Sequence, residues 1–355
     1  MTHFAPRLAR IGRRALVAQL AFGYAGSLGG RRGWTQERDS AQTNLLTTAM
    51  RRAVEKGLMF LSNRQNEDGS FGTGSFARNV GVVGLCGMAF LAEGSRPGRG
   101  PHAPIVSRCL DFVLNQATDS GLINFPEASE RGTMYGHGFA TLFLAEVYGV
   151  AQRPALREKL RRSVQLIVQC QNAEGGWRYE PRRDDADISV TVCQVMALRA
   201  AKNAGIYVPA DTIDRAVSYV KRCQNPDGGF SYMLSQPGES RFPRSAAAVV
   251  ALHSAGIYES DEGRRGLIYM ASNSPQAVSL TEQGYFLYGH YYAAQAMWHE
   301  GGEGWAAWYP PIRDWLIARQ RPDGAWPDPI SPEYGTAMAC LILQMPNNYL
   351  PIFQR

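Results

Sequence analysis

Along almost the whole chain, apolar residues recur at the three- and four-residue spacing of one helical face, and each such run is closed by a short polar stretch containing glycine. The pattern predicts helices over about residues 44–63, 79–93, 102–115, 134–149, 153–170, 187–204, 209–224, 242–256, 260–271, 283–298, 308–321 and 333–345. Segments such as 246–255 are apolar on nearly every face, with little beyond Ser245, His253 and Ser254 nearby to interrupt them, and a helix of that kind has to be covered on all sides. Helices in pairs, each too apolar to stand alone, stack either as an open solenoid or as a closed double ring. Closure covers the all-apolar members, so the expected fold class is all-α, an α/α toroid of about six helix pairs.

An internal repeat supports one continuous architecture. Residues 65–71 read QNEDGSF, 171–177 QNAEGGW, 224–230 QNPDGGF and 320–326 QRPDGAW, with a weaker copy, QATDSGLINF, at 116–125. The copies start 51, 55, 53 and 96 residues apart, and the last gap, near two periods, places a worn copy at about 271–276. In each loop, glycine lets the chain reverse, Asp227 or Asp323 can cap nearby amides, and the aromatic residue can fold back onto its repeat. We divide the chain into a basic arm, 1–43, and a toroid with a C-terminal tail, 44–355.

Charge narrows the partners. Lys and Arg number 37 against 31 Asp and Glu, but Arg7, Arg10, Arg13, Arg14, Arg31, Arg32 and Arg38 account for most of the excess, leaving the body near neutral. The body has no interleaved basic and aromatic stripe, so nucleic acid is not an expected partner. Three readings stay open for residues 4–28: a peripheral arm, an export signal, or a cationic segment lying on a membrane surface. The six cysteines are scattered within apolar stretches and read as small buried hydrophobes. No phosphate-cradling glycine loop or nucleophile turn occurs, so neither nucleotide cofactor nor acyl transfer is expected, and no other cofactor is implied.

The loops Gln171–Trp177, Gln224–Phe230 and Gln320–Trp326 resemble the QW motifs of the prenyltransferase and squalene cyclase repeat superfamily, and the resemblance runs over about residues 45–345. It implies a terpenoid cyclase-like toroid. Cyclases of that kind protonate an alkene or epoxide with an Asp of a DXDD-like motif at the top of an apolar cavity. The matching segment is Asp185-Ala186-Asp187-Ile188, in which Asp187 corresponds to the proton donor and Ile188 stands where the motif has its final Asp. The prenyltransferase zinc pattern is not met: His290 lies where it has Cys, Tyr288 where it has Asp, and Gly335 where it has His, so no metal is expected.

From the residues themselves, Asp184, Asp185 and Asp187 crowd the start of an expected inner helix, where mutual repulsion and poor solvation raise carboxyl pKa values. An Asp at a helix start is equally a cap, and Arg182 and Arg183 can hold the neighbouring carboxylates ionised. Arg78, Asn79, Tyr135, His137, Arg241, Arg244, Tyr288, His290, Glu333 and Tyr334 fall at the same register, which on a closed ring makes a polar rim. Below it we expect an apolar cavity lined by Phe139, Phe143, Met196, Tyr291, Tyr292 and Met297, suited to an elongated apolar ligand. The expected catalytic set is Asp187 with Asp185 and His137, the last two orienting the first. The alternatives are a noncatalytic lipid-binding or protein-interacting toroid, and an enzyme acting on polysaccharide through Asp185 or Asp187 paired with Glu333.

Overall fold

A computed structural model describes residues 45–128, 132–274 and 285–354. Twelve α-helices lie among the described residues: α1 Thr48–Arg64, α2 Val80–Glu93, α3 Ala103–Asn115, α4 Thr133–Tyr148, α5 Leu156–Cys170, α6 Ile188–Asn203, α7 Ala210–Arg222, α8 Phe242–Ser254, α9 Asp261–Asn273, α10 Phe286–Glu300, α11 Gly302–Arg319 and α12 Pro332–Gln344. The even-numbered helices pack side by side in chain order, α2 on α4, α4 on α6 and onward to α12, and α12 packs back on α2. They form the closed inner ring of an α/α toroid, and the odd-numbered helices pair with them outside. The basic arm and the last two residues of the worn repeat copy, Pro275 and Gln276, lie outside the described residues.

Inner and outer helices differ as their sequences require. Every residue of α2 from Val80 to Ala92 is buried, whereas α7 buries only Thr212, Ala216, Tyr219 and Val220. Glycines bring the inner helices close: a methyl group on Gly84 would lie 2.9 Å from Phe139 O, and one on Gly81 3.0 Å from the Gly136 Cα.

The glutamine loops tie one outer helix to the next. Gln171 Nε2 donates to Gly175 O of its own loop and to Thr212 O of α7, both at 2.8 Å, while Gln65 and Gln224 do the same toward Ile105 O of α3 and Glu262 O of α9. Gln320 Nε2 closes the ring, donating to Gly324 O at 2.9 Å and to Ala53 O of α1 at 2.8 Å. The adjoining glycine carries a positive φ and admits a carbonyl of the next outer helix, so that a Cβ on Gly175 would stand 2.2 Å from Arg215 O and one on Gly324 2.4 Å from Lys56 O. Trp177 and Trp326 fold back as expected, their indole N–H groups donating to Ile167 O and Leu316 O at 2.7 and 2.8 Å.

Helix starts depart from the predicted bounds by up to four residues, and one departs further. Helix α11 begins at Gly302, six residues before the expected start, and carries Pro310 and Pro311 inside it. Trp305 is buried in this added stretch and Trp308 and Tyr309 just after it, with Trp305 stacked on Tyr309 at 4.5 Å and edge-on to Trp298 at 5.3 Å. Aromatic burial thus outweighs the amide hydrogen bonds that the prolines cannot make.

The segment Met345–Gln354 crosses the end of the ring where the inner helices finish, touching α2, α6, α10 and α12. Leu350, Ile352 and Phe353 are buried there. Phe353 O accepts from Trp298 Nε1 at 3.1 Å and His299 Nε2 at 3.2 Å, and Gln344 and Asn347 donate to Ala89 O and Ala92 O of α2. Among the described residues one end of the toroid is sealed, and the end carrying the inner-helix starts is the mouth.

The closure contact separates two effects in a mutational test. Gly205 has φ +79° with nothing near its missing Cβ, so Gly205→Ala is expected to cost about 1 kcal/mol from backbone strain alone. Gly324→Ala meets the same strain and the Lys56 carbonyl, and should cost at least about 3 kcal/mol. Urea unfolding of the two variants measures the difference, and equal losses would remove the close approach as the closing constraint.

Candidate functional site

Helix α6 begins at the mouth. The chain leaves α5 through the Gln171 loop and returns so that Asp187 N–H donates to Trp177 O at 3.0 Å. Asp187 is the N-cap of α6, its Oδ1 accepting from Val190 N at 2.9 Å, and the next amide, Ile188 N–H, donates to Tyr232 O of the following repeat at 3.0 Å. The side chain is wholly buried. Its second oxygen makes no well-directed hydrogen bond and lies 3.8 Å from Arg178 Nε. Burial pushes the Asp187 carboxyl up to about 6, while the Val190 amide, the Tyr232 hydroxyl and Arg178 pull it down.

Above this carboxyl lies a cleft of about 370 Å³ lined by Arg178, Tyr179, Glu180, Arg182, Asp184 and Asp185. Arg178 bonds Asp185 and lies 5.0 Å over the Tyr179 ring, and Arg182 pairs with Asp184. Asp185 and Asp187 are thereby bridged by one guanidinium. The Tyr179 and Tyr232 hydroxyls meet at 2.5 Å, and the Tyr179 ring stands 6.1 Å from Tyr135.

Below the mouth, tyrosines converge from several inner helices. Tyr288 donates to Ser189 O at 3.3 Å and the Tyr292 hydroxyl lies 3.3 Å from Cys193 Sγ, both contacts running from α10 to α6 past α8. Burial raises the pKa of Tyr135, Tyr288, Tyr292 and Tyr334 well above the ordinary phenol value, and the nearby Cys193 thiol adds to the effect. Phe139 of α4 lies edge-on to Tyr291 at 6.4 Å. Tyr135, Phe139, Tyr288, Tyr291, Tyr292 and Tyr334 therefore gather at the ring's centre. The expected open cavity is corrected at the level of Tyr291 and Tyr292, which are 0 % exposed because their own rings occupy the space.

The remaining expected site residues are used elsewhere. His137 does not meet Asp187: its Nδ1 accepts from Ile123 N at 3.1 Å and its Nε2 donates to Ser163 O at 3.3 Å, which occupies both nitrogens. It fills the place of Thr191, Ser245 and Thr336, whose hydroxyls accept from the loop amides of Trp177, Phe230 and Trp326. Burial pushes the His137 ring down to about 4, so it stays neutral. His290 stacks on Phe286 at 4.0 Å, with Phe242 and Trp308 nearby, and donates to Phe286 O. Phe143 packs against the backbone of α2, where a Cβ on Gly87 would lie 2.5 Å from its ring. Met196 and Met297 are core residues, and Arg241 is exposed and paired with Glu239. Arg244 lies 5.9 Å over the Tyr232 ring. Glu333, buried against Arg64 and Thr73, serves the α1–α2 side of the ring, Arg78 pairs with Asp68, and Asn79 caps α2.

Three contributors were missed in the sequence: Arg178, Tyr179 and Tyr232. The signal was present, since GGWRY at 175–179 and GGFSY at 228–232 place a tyrosine two residues beyond the loop aromatic in consecutive repeats. Glu146, one acid in the apolar helix α4, was also missed. It is buried near the sealed end, where burial pushes its carboxyl up to about 8 against the pull of the Ile352 amide and Arg96.

Residues 141–290 match the family described as the squalene-hopene cyclase C-terminal domain. Two relatives, drimenyl diphosphate synthases of Streptantibioticus cattleyicolor and Streptomyces showdoensis, are 26 % identical over 192 residues and 28 % identical over 191 residues, in each case 53 % of this chain. The match spans about a third of those relatives' length, 34 % of each. An inactive variant of an alpha-1,6-mannanase from Salegentibacter sp. HEL1_6, solved with alpha-1,6-mannotriose, superposes with a TM-score of 0.61 at 9 % identity, covering 83 % of this chain and 98 % of that one. At that identity the likeness is one of fold.

The geometry at Asp187 gives a pH-dependent stability test. Its folded pKa, about 6, exceeds the ordinary 3.8, so the native state holds this proton more tightly and the wild type loses stability as pH rises from 4 to 6. Asp187→Asn keeps an acceptor for the Val190 amide and removes the titration. The stability of the variant relative to wild type should therefore grow by up to about 3 kcal/mol between pH 4 and pH 7, measured by urea unfolding at each pH. A difference independent of pH would show that Asp187 ionises without penalty. His137→Ala should lower stability by about 1–3 kcal/mol at all pH values from 5 to 8, through the unpaired Ile123 amide and Ser163 carbonyl.

Proposed function

We propose that the chain belongs to the prenyltransferase and terpene-cyclase-like superfamily, to which its matches point, and that Asp187 serves in it as the acid that starts isoprenoid chemistry at the mouth of the toroid. One observation carries this reading: a wholly buried carboxyl fixed through Oδ1 by the Val190 amide, with Oδ2 free of a well-directed hydrogen bond. The site's position at an inner-helix start agrees with the DXDD-like register of Asp185 to Ile188.

In the proposed step the Asp187 O–H proton passes to an alkene carbon or epoxide oxygen of an apolar substrate, leaving a carboxylate and a carbocation. Arg178, 3.8 Å away, favours that carboxylate, and so strengthens the acid, more as water is excluded. The π faces of Tyr135 and Tyr288, buried beneath, suit a developing cation, which a second double bond then captures as a ring closes. Asp185 holds Arg178 in place from the solvent side and is a positioning residue. Ile188, where the family motif has a further Asp, is buried and contributes no charge, so Arg178 and Tyr232 are the polar neighbours of the acid in this chain. The drimenyl diphosphate synthases among the relatives favour an isoprenoid substrate.

A noncatalytic lipid-binding toroid is the second reading, and the filling of the ring's centre by Tyr291 and Tyr292 favours it. In that case a lipid retained through purification returns unchanged. A membrane surface as partner, reached through the basic arm, fits either reading.

Product analysis by mass spectrometry after incubation with linear isoprenoids, including squalene and geranylgeranyl diphosphate, tests the first reading. Wild type should form cyclic products, and Asp187→Asn should lose at least about a hundredfold in rate. Because the acid must be protonated, the wild-type rate should fall about tenfold per pH unit above the Asp187 value of about 6. Equal conversion by both proteins removes Asp187 as the acid; no conversion by folded wild type moves the assignment to the lipid-binding toroid.

A further inference from the structure

Helix α10 places three tyrosine rings across the toroid rather than along its wall. Tyr288 and Tyr292 reach past α8 to Ser189 and Cys193 of α6, and Tyr291 meets Phe139 of α4, the inner helix directly opposite. Tyr292 packs edge-on against both others, with ring centres 4.8 Å from Tyr288 and 5.0 Å from Tyr291. Tyr291 and Tyr292 have no accessible surface at all, so not even a water-sized space adjoins them. The three rings make a bulkhead across the lumen.

Its depth follows from helix geometry. Tyr288 is the third residue of α10 and Tyr292 the seventh, so the bulkhead begins ~5 Å below the helix start and ends ~10 Å below it, in a helix ~22 Å long. Beyond it lie Gln295 and Met297, both buried, and then the sealing segment Met345–Gln354. On its other side, between the bulkhead and the cleft lined by Arg178, Tyr179 and Asp185, stand Asp187, Tyr135 and Tyr232.

We infer that Tyr288, Tyr291 and Tyr292 set the length of the apolar ligand this toroid accepts, confining it to a short isoprenoid chain lying across the mouth and excluding a long chain threaded through the ring. The inference rests on the reading of an apolar ligand beside Asp187, not on the acid role of that residue. A rigid aromatic floor discriminates by length because each further isoprene unit either displaces a packed ring or remains in water.

Binding measured without turnover tests it. In the Asp187→Asn background, retention of isotope-labelled geraniol, farnesol, geranylgeraniol and squalene on the full-length protein gives affinity against chain length. Affinity should fall by about tenfold or more from farnesol to geranylgeraniol, and the added changes Tyr291→Leu and Tyr292→Leu should restore geranylgeraniol by a similar factor while altering geraniol little. Should the double change fold poorly, Tyr292→Leu alone serves, and geranylgeraniol should raise its melting temperature but not that of the parent. Squalene bound by the parent as tightly as farnesol overturns the bulkhead, and so does a Leu variant that gains no affinity for long chains. Binding of none of the four probes to either protein overturns the inference together with the reading of an apolar ligand beside Asp187. Intact length dependence without product formation by wild type leaves the bulkhead standing and removes only the acid.

Discussion

The structure depends on one burial requirement. Each inner helix is apolar around most of its circumference, as α2 is from Val80 to Ala92, and no single neighbour covers such a helix. Flanking inner helices cover two sides, an outer helix the third and the ring's own centre the fourth. An open array would leave α2 and α12 each with one apolar flank in water. Their mutual contact, and the bond from Gln320 across to Ala53 of α1, are the physical content of closure. The glutamine loops give that closure its register. One side-chain amide satisfies a carbonyl of its own loop and a carbonyl of the next outer helix, so the spacing between pairs is set by hydrogen bonds as well as by packing.

The site inherits its properties from this arrangement. Inner-helix starts meet at one end, so a residue needed only to cap α6 is also placed at a poorly solvated mouth. Asp187 performs both roles with different oxygens: Oδ1 satisfies the helix amide, and Oδ2 carries the raised proton affinity. The same register gives His137 a different fate. It stands where other repeats use Thr191, Ser245 or Thr336, and its imidazole is consumed in holding the loop amide of Ile123 and the Ser163 carbonyl. A polar residue at an inner-helix start thus faces either the lumen or its own loop. Tyr135 and His137 are two positions apart, enough to turn the side chain to the opposite side of the helix.

The centre of the ring shows how composition within a fixed fold controls what the fold can hold. A toroid whose inner helices carried small residues throughout would enclose a channel. Here α10 contributes Tyr288, Tyr291 and Tyr292 within two turns, and their rings cross to α6 and α4. Tyrosine suits this position because the ring fills volume while the hydroxyl finds a thiol or a carbonyl on the far wall. The far end is closed by a different device, a segment whose Phe353 carbonyl accepts from Trp298 and His299 and whose start is tied to α2 by the side chains of Gln344 and Asn347.

The sequence by itself determined the helices, their pairing and the ring. These follow from short-range spacing, from a repeated loop and from a burial demand that only closure meets, all of which are written locally along the chain. Even the exception, the early start of α11, reflects a local conflict between Pro310 and Pro311 and the burial of Trp305, Trp308 and Tyr309. The register of Asp187 at a helix start was equally legible, and the GGWRY and GGFSY repeats held a signal for Tyr179 and Tyr232. Only the tertiary structure decided which way each rim side chain turns, that Arg178 bridges Asp185 and Asp187, that His137 and His290 belong to packing, and that three tyrosines of one helix fill the lumen. The filled lumen depends on contacts such as Tyr292 with Cys193, far apart in the chain and brought together by the closed ring, while the others depend on how each side chain turns among its packed neighbours.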